Sequence, residues 1–210
     1  MASRGTVVIA AASMMLASWL PARAQEDDTA GVAPSAVEAV KKLGEQVVLG
    51  HRQFAVERMY PRWKARMAKR MGGMDVLERK LKEQLEMVDE QMRLHGMSMI
   101  SFEPVGAPKV YGVWPGKKLE MVDGQEVEVL VSKNWLVLIP TVTKFRVIEK
   151  ETGKPRFIES SGFQVAVSDK GANDWYFMDG GTLSVADLRS LFPDLPENIE
   201  LPKLERREVP

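Results

Sequence analysis

The sequence predicts an α+β domain in which N-terminal helices pack on a curved antiparallel sheet, followed by a short C-terminal helix and an extended tail. Apolar residues recur every three or four positions up to about residue 96, which is typical of helices. From residue 97 they alternate with polar residues, which is typical of half-buried strands. Prolines interrupt residues 193–210, which favours an extended tail over another helix.

Residues 1–24 have the pattern of a cleaved export signal. Arg4 supplies a positive charge, residues 5–20 are almost entirely apolar, and Ala22-Arg23-Ala24 gives the small-residue pattern that a signal peptidase cuts. The apolar run is shorter than the roughly 20 residues of a spanning helix, which argues against an uncleaved anchor. We therefore expect an exported bacterial protein, periplasmic or secreted, with no transmembrane segment after cleavage.

The composition excludes several classes of function. The chain has no cysteine, so lipidation at a signal-peptide cysteine, disulfides and thiolate metal sites are all excluded. Loss of Arg4 and Arg23 with the signal would leave 27 basic against 29 acidic residues, a balance that does not attract nucleic acid. No glycine-rich phosphate loop or metal-ligand spacing is present, so we predict neither a cofactor nor a metal.

The positions of the helices are predicted from capping residues and from the spacing of apolar residues. Residues 25–34 are short and polar and predict a flexible leader, and Ser35 with Glu38 matches a capping box at the start of the first helix. A second, shorter helical stretch runs from Phe54 to Pro61, where the proline marks a kink or a restart, and Gly72-Gly73 ends this part. The clearest helix opens at Asp75 and ends at Gly96, and it carries one apolar stripe, formed by Leu77, Leu81, Leu85, Val88 and Met92.

Six strand segments follow, separated by turns at Asp123-Gly124 and at residues 151–154. The predicted segments are 98–105, 119–122, 126–132, 135–149, 155–168 and 174–178. A last short helix begins at Ser184, with Asp187 three residues on. We assign residues 35–192 to a single domain, with the helices covering one face of the sheet, and residues 193–210 to the tail.

Helices followed by a long-stranded curved sheet resemble the nuclear-transport-factor-like (ketosteroid-isomerase-like) cone folds, and the chain also resembles a family of uncharacterised exported bacterial proteins. The resemblance implies a pocket between sheet and helices, with no established activity. Its segments are Leu49-Gly50 to Tyr60-Pro61, Gly72-Gly73, Ser101 to Pro104, Trp175 to Gly180, Leu191 to Pro193 and Leu201-Pro202.

Trp175, Phe177 and Asp179 alternate along one predicted strand, so their side chains point to one face of the sheet. With Tyr60 and Trp63 they form the candidate ligand-binding set. Aromatic rings and a few polar groups such as a carboxylate are what line small-molecule pockets. The alternative interpretation is that the aromatic rings are core and that Asp179 makes the turn with Gly180.

These features favour an exported non-enzymatic domain that binds a small apolar ligand, or a protein partner of the envelope, on the concave sheet face. One alternative is a pocket enzyme of isomerase or dehydratase type using Tyr60, His51 or Asp179. A second is an envelope assembly module that forms a homodimer. No catalytic motif surrounds His51 or His95, the two histidines of the chain, and no catalytic residue is assigned.

Overall fold

The computed structural model describes residues 30–122 and 125–209. The predicted signal, the first part of the predicted leader and the Asp123-Gly124 turn lie outside the described residues. The rest of the chain folds into helices and a curved antiparallel sheet, which confirms the α+β class.

Four helices come first: α1 (Val32–Val48), α2 (Gln53–Glu57), α3 (Pro61–Met71) and α4 (Met74–Leu94). Pro61 occupies the first turn of α3, where its missing amide costs nothing. Gly72 ends that helix with φ of 95°, a left-handed conformation that glycine adopts without strain.

The predicted capping box at Ser35 is wrong. Helix α1 begins at Val32, with Gly31 as its N-cap, so Ser35 lies inside the first turn. Its hydroxyl instead accepts a 2.9 Å hydrogen bond from the indole nitrogen of Trp175, far along the chain. The Ser35 hydroxyl is therefore used in a tertiary hydrogen bond and not in a helix cap.

Six strands form the sheet, and a second group of short elements follows the fifth strand. The strands are β1 (Met97–Pro104), β2 (Lys109–Val122), β3 (Gln125–Ile148), β4 (Pro155–Asp169), β5 (Tyr176–Asp179) and β6 (Glu205–Val209). Between β5 and β6 lie a 3-10 helix (Gly180–Thr182) and α5 (Val185–Leu191), which opens with the predicted Ser184–Asp187 capping box.

Strand β3 is the axis of the sheet. Along one edge it pairs with β2 and then with β1, and along the other edge it pairs with β4. Strand β4 in turn pairs with β5 and β6 on its far edge. The outer edge of β5 is paired as well, because Met59 bridges Phe177 and the Tyr60 amide donates to the Phe177 carbonyl oxygen at 2.9 Å.

One face of the sheet, called here the α1 face, packs against α1. The strand residues Trp135, Val137, Ile139 and Ala166 contact the buried side of α1, which carries Val32, Ala36, Val40 and Leu43. This is the arrangement that a helix with an apolar stripe makes with the apolar face of a sheet.

The opposite face is covered as well, so the expectation that helices cover a single face is wrong. Residues Leu136, Leu138, Val165 and Val167 pack against Tyr60 and against the C-terminal segment, whose buried members are Leu183, Leu188, Leu191, Phe192, Leu195 and Ile199. The extended tail therefore completes the core, and its end pairs with β4 through β6.

Candidate functional site

A cavity of about 680 Å³ lies between the α1 face and helices α2, α3 and α4. It is called here the helix–sheet cavity. Strands β1, β3, β4 and β5 form its floor, and α4 forms its roof through Leu77, Leu81 and Leu85. Its volume is within the range of roughly 300–1,000 Å³ that small-molecule sites occupy.

The walls of the helix–sheet cavity are mostly apolar. Helices supply aliphatic and thioether groups, and the strands supply aromatic rings. The apolar lining consists of Leu43, Val47, Ala55, Val56, Met59, Trp63, Met67, Met71, Leu77, Leu81, Leu85, Met99, Phe102, Phe145, Phe177 and Met178. Such a lining favours a ligand that buries apolar surface.

A bulge in β1 brings two of these side chains together. The register with β3 shifts between Met99 and Ser101, so Ile100 is the extra residue. Met99 lies opposite Phe145 and Phe102 opposite Thr143, and all four line the cavity. Without the bulge, Met99 and Phe102 would point to opposite faces of the sheet.

Five methionines take part in the lining: Met59, Met67, Met71, Met99 and Met178. Methionine has three rotatable bonds and a polarizable sulfur, and it is common on surfaces that accommodate differently shaped partners. The cavity is therefore suited to a class of ligands more than to one rigid shape.

The floor carries a narrow polar strip made of two cross-strand pairs. Thr143 lies opposite Ser160 in the β3–β4 ladder, and Gln164 lies opposite Asp179 in the β4–β5 ladder. The Gln164 amide nitrogen donates to Asp179 Oδ1 at 3.5 Å. Within the described part of the chain no hydrogen bond uses the hydroxyl of Thr143 or Ser160, so both remain free for a ligand.

The two arginines that line the cavity are each paired with a carboxylate. Arg52, just before α2, forms an ion pair with Asp89 of α4 and also donates to the Met92 sulfur at 3.0 Å. Arg70 of α3 lies 3.4 Å from Asp187 of α5. A hydrogen bond from the Ser184 hydroxyl, with the nearby Arg70 guanidinium, holds the pKa of the Asp187 carboxyl below its ordinary value.

Three of the five predicted ligand-binding residues line this cavity: Trp63, Phe177 and Asp179. Phe177 and Asp179 point to the α1 face from β5, as their alternation predicts. Asp179 also caps the following 3-10 helix, because its Oδ1 accepts from the Gly181 amide at 3.3 Å. Asp179 therefore makes the predicted turn and also lies in the cavity lining, and its role in binding a ligand stays a prediction.

The other two predicted residues lie elsewhere. Trp175 is in the core with α1, where its indole nitrogen bonds to Ser35. Tyr60 is in the opposite core, with its ring 5.6 Å from that of Phe192, and burial raises the pKa of its phenol. Neither residue lines the helix–sheet cavity.

The alternative catalytic set is not brought together. His51 is exposed, and its Nδ1 lies 2.9 Å from the Gln46 amide oxygen, outside the cavity lining. Tyr60 faces the opposite core, which leaves Asp179 as the one member of the set in the cavity. His95 caps the C-terminal end of α4 and is exposed.

The sequence patterns did not predict that the polar strip, or Leu77, Leu81 and Leu85 of the roof, belongs to a ligand site. A signal for the strip existed: Gln164 interrupts an apolar strand run, and Thr141 and Thr143 alternate with the same register as Ile139 and Phe145. The alignment of these residues with Asp179 depends on the pairing of three strands, which single-strand patterns do not specify.

A second cleft, on the opposite face near the start of the β2–β3 hairpin, is lined by polar and aromatic groups that mostly pair with each other. The Arg62 guanidinium lies 3.2 Å from the ring centre of Trp114, and Arg58 bonds to Asp174 at 2.5 Å. Asn134 donates to Asp169 at 2.5 Å. Because these side chains bind each other, we interpret the cleft as a packing feature and not as a ligand site.

No protein-family model matches the chain, and neither a curated protein nor a solved structure shows significant similarity to it. In the part of the chain that the structure describes, no helix is long and apolar enough to cross a membrane. Across residues 30–122 and 125–209, no group of three or more histidine, aspartate or glutamate side chains is arranged to hold a metal ion.

Proposed function

We propose that this protein is an exported binding protein whose helix–sheet cavity takes up a small amphipathic molecule. One observation carries the proposal: a cavity of about 680 Å³ has mostly apolar walls and a short polar strip on its floor. This combination, mostly apolar with a few placed polar groups, is typical of small-molecule sites.

The energetic argument favours an alkyl or ring system as the buried part. Each methylene transferred from water into such walls contributes about 0.8 kcal/mol. The unpaired hydroxyls of Thr143 and Ser160 would then bond to the polar end of the ligand. A ligand with both parts satisfies the walls and the floor together.

Binding is a better-supported function than catalysis for this cavity. Acid–base chemistry needs a base and a hydrogen-bond donor positioned around one substrate atom. Here the candidate partners of Asp179 lie on the opposite face or on the exposed surface. Export from the cytoplasm, which rests on residues 1–24, and membership of the cone folds remain parts of the proposal that sequence alone supports.

The test is calorimetric titration of the purified protein with decanol, a neutral amphiphile of suitable length. We expect saturable binding of about one equivalent, with a Kd in roughly the micromolar range from burial of the alkyl chain. The variant Ala55→Trp places an indole in the cavity and should weaken decanol binding at least about tenfold, because the space is filled.

The matched control is Ala65→Trp, on the exposed side of α3 and outside the cavity lining. This control should bind decanol like the unmodified chain. Absence of saturable binding to the unmodified protein, or equal weakening by both tryptophan variants, would contradict the proposed function.

A further inference from the structure

The charges around the helix–sheet cavity are unequally compensated. Arg52 is paired with Asp89, and Arg70 is paired with Asp187 at 3.4 Å. Asp179 is the exception, because among the described residues no lysine or arginine forms an ion pair with it. The cavity therefore presents one carboxylate without a matching cation.

The partners that Asp179 does have leave it able to accept more hydrogen bonds. Its Oδ1 takes the Gly181 amide at 3.3 Å and the Gln164 amide at 3.5 Å, both neutral donors, the second at the limit of a hydrogen bond. An ionised carboxylate offers about four lone-pair sites on its two oxygens. A cationic donor is the group that complements this remaining capacity most strongly.

The position of Asp179 fits a ligand head group. Asp179 lies at the β5 end of the polar strip, beside Gln164 and at the start of the 3-10 helix. It is exposed to solvent. The apolar walls begin close to it with Phe177, which lies on the same face of β5. A head group at Asp179 can stay hydrated while the attached chain is buried.

Building on the proposed function, we infer that the ligand is an amphiphile with a cationic ammonium head, held by Asp179, and an apolar body in the helix–sheet cavity. An anionic head is disfavoured there, because the two cavity arginines are already bonded to Asp89 and Asp187. The alkyl chain gives affinity, and the carboxylate decides which head group is accepted.

The experiment compares three probes with the same alkyl chain: decylammonium, decanol and decanoate, titrated at pH 7 below their micelle concentrations. At this pH decylammonium is protonated and decanoate is ionised, because the ordinary pKa values of an alkylammonium and a carboxyl group are about 10.4 and 4.3. We expect decylammonium to bind at least about tenfold more tightly than decanoate, with decanol between them.

The deciding variant is Asp179→Asn. Asparagine caps a helix about as well as aspartate, so the turn at Gly180 is retained while the charge is removed. The preference for decylammonium over decanoate should fall to less than about threefold. The matched control Asp194→Asn removes an exposed carboxylate outside the cavity and should leave the preference intact.

Two results overturn the inference without touching the proposed function: decanoate binding as tightly as decylammonium, or an unchanged preference in Asp179→Asn. A decanoate preference would point instead to displacement of Asp187 from Arg70. If none of the three probes binds, the proposed function itself fails. The two failures are therefore distinguishable in one set of titrations.

Discussion

At Gly44, helix α1 lies close against strand β1. A Cβ atom built there would lie 2.4 Å from the Phe102 carbonyl oxygen and 2.5 Å from a carbon of the Phe102 ring. Both distances are far below van der Waals contact, and the carbonyl belongs to the β1 backbone, which has little room to move. Phe102 also lines the helix–sheet cavity, so this close approach helps to set the cavity's shape.

Overpacking at Gly44→Ala costs about 1–3 kcal/mol. Alanine gains up to about 1 kcal/mol of helix propensity, so we expect the free energy of unfolding to fall by up to about 2 kcal/mol. Urea denaturation measures the difference. The control Gly162→Ala, where the nearest atom is 3.6 Å from the new Cβ, should be close to neutral. A Gly44→Ala variant as stable as the parent would contradict the packing described here.

Two capping boxes show what residue-scale patterns can and cannot predict. Ser184 and Asp187 form the predicted box, with hydrogen bonds in both directions. Ser35 and Glu38 have the same serine–acid spacing, yet α1 starts three residues earlier and Ser35 bonds to Trp175. The spacing was equally good in both cases. The difference is a partner distant in sequence, which a local pattern does not contain.

At the scale of elements, α4 is the least anchored part of the cavity. Of its 21 residues only Leu77 is fully buried, while Leu81 and Leu85 are half-buried over the cavity. Its N-terminal half is tied to α3 by Lys64 and Glu78, whose atoms lie 2.9 Å apart. Its C-terminal half is tied to α2 through the Arg52–Asp89 pair. A roof with few buried contacts opens locally more readily than the sheet.

We expect Asp89→Asn to increase amide hydrogen exchange in the C-terminal half of α4, while the sheet amides stay unchanged. A partly exposed ion pair contributes at most about 1 kcal/mol, so the increase should be up to about fivefold. Exchange followed by mass spectrometry on α4 peptides measures it. Glu86→Gln, on the exposed side of the same helix, is the control and should have little effect. Equal effects of the two substitutions would indicate that the Arg52 contact does not hold the roof.

The elements themselves were largely predictable, since periodicity reports burial. Of the apolar stripe predicted for α4, Leu77, Leu81 and Leu85 line the cavity, whereas Val88 is exposed. The β1 bulge was not predicted, because a register shift depends on the partner strand. Strand β3 was predicted as two segments because Ser132-Lys133-Asn134 interrupts its apolar pattern, whereas pairing with β2 carries the strand through.

At the scale of the whole molecule, the C-terminal segment converts a sheet with one covered face into a three-layer domain. Leu195 and Ile199 are buried beside Phe192, and β6 extends the sheet with the Arg207–Glu159 and Arg156–Glu208 pairs. From the sequence, residues 193–210 are predicted only to be an extended tail. The pairing of β6 with β4 follows from the path of the tail, which only the folded domain defines.

The candidate site belongs to this same scale. Its lining comes from helices α1 to α4, from strands β1, β3, β4 and β5, and from the 3-10 and α5 region. Alternation on β5 was enough to predict Phe177 and Asp179. That the other elements come together to line one cavity was not predictable, because the apolar pattern of each also fits ordinary core packing.

We propose that an alkyl chain enters the helix–sheet cavity, and among the described residues Trp63 is the tryptophan positioned to report it. Trp63 lines that cavity, whereas Trp114, Trp135 and Trp175 do not. The most direct measurement is quenching of tryptophan fluorescence by decanol carrying a terminal bromine, which quenches indoles on contact. We expect saturable quenching that is largely lost in Trp63→Phe and kept in Trp114→Phe, with decanol affinity retained in both. Quenching that is the same in the parent and in Trp63→Phe would place the ligand outside the cavity and contradict the account.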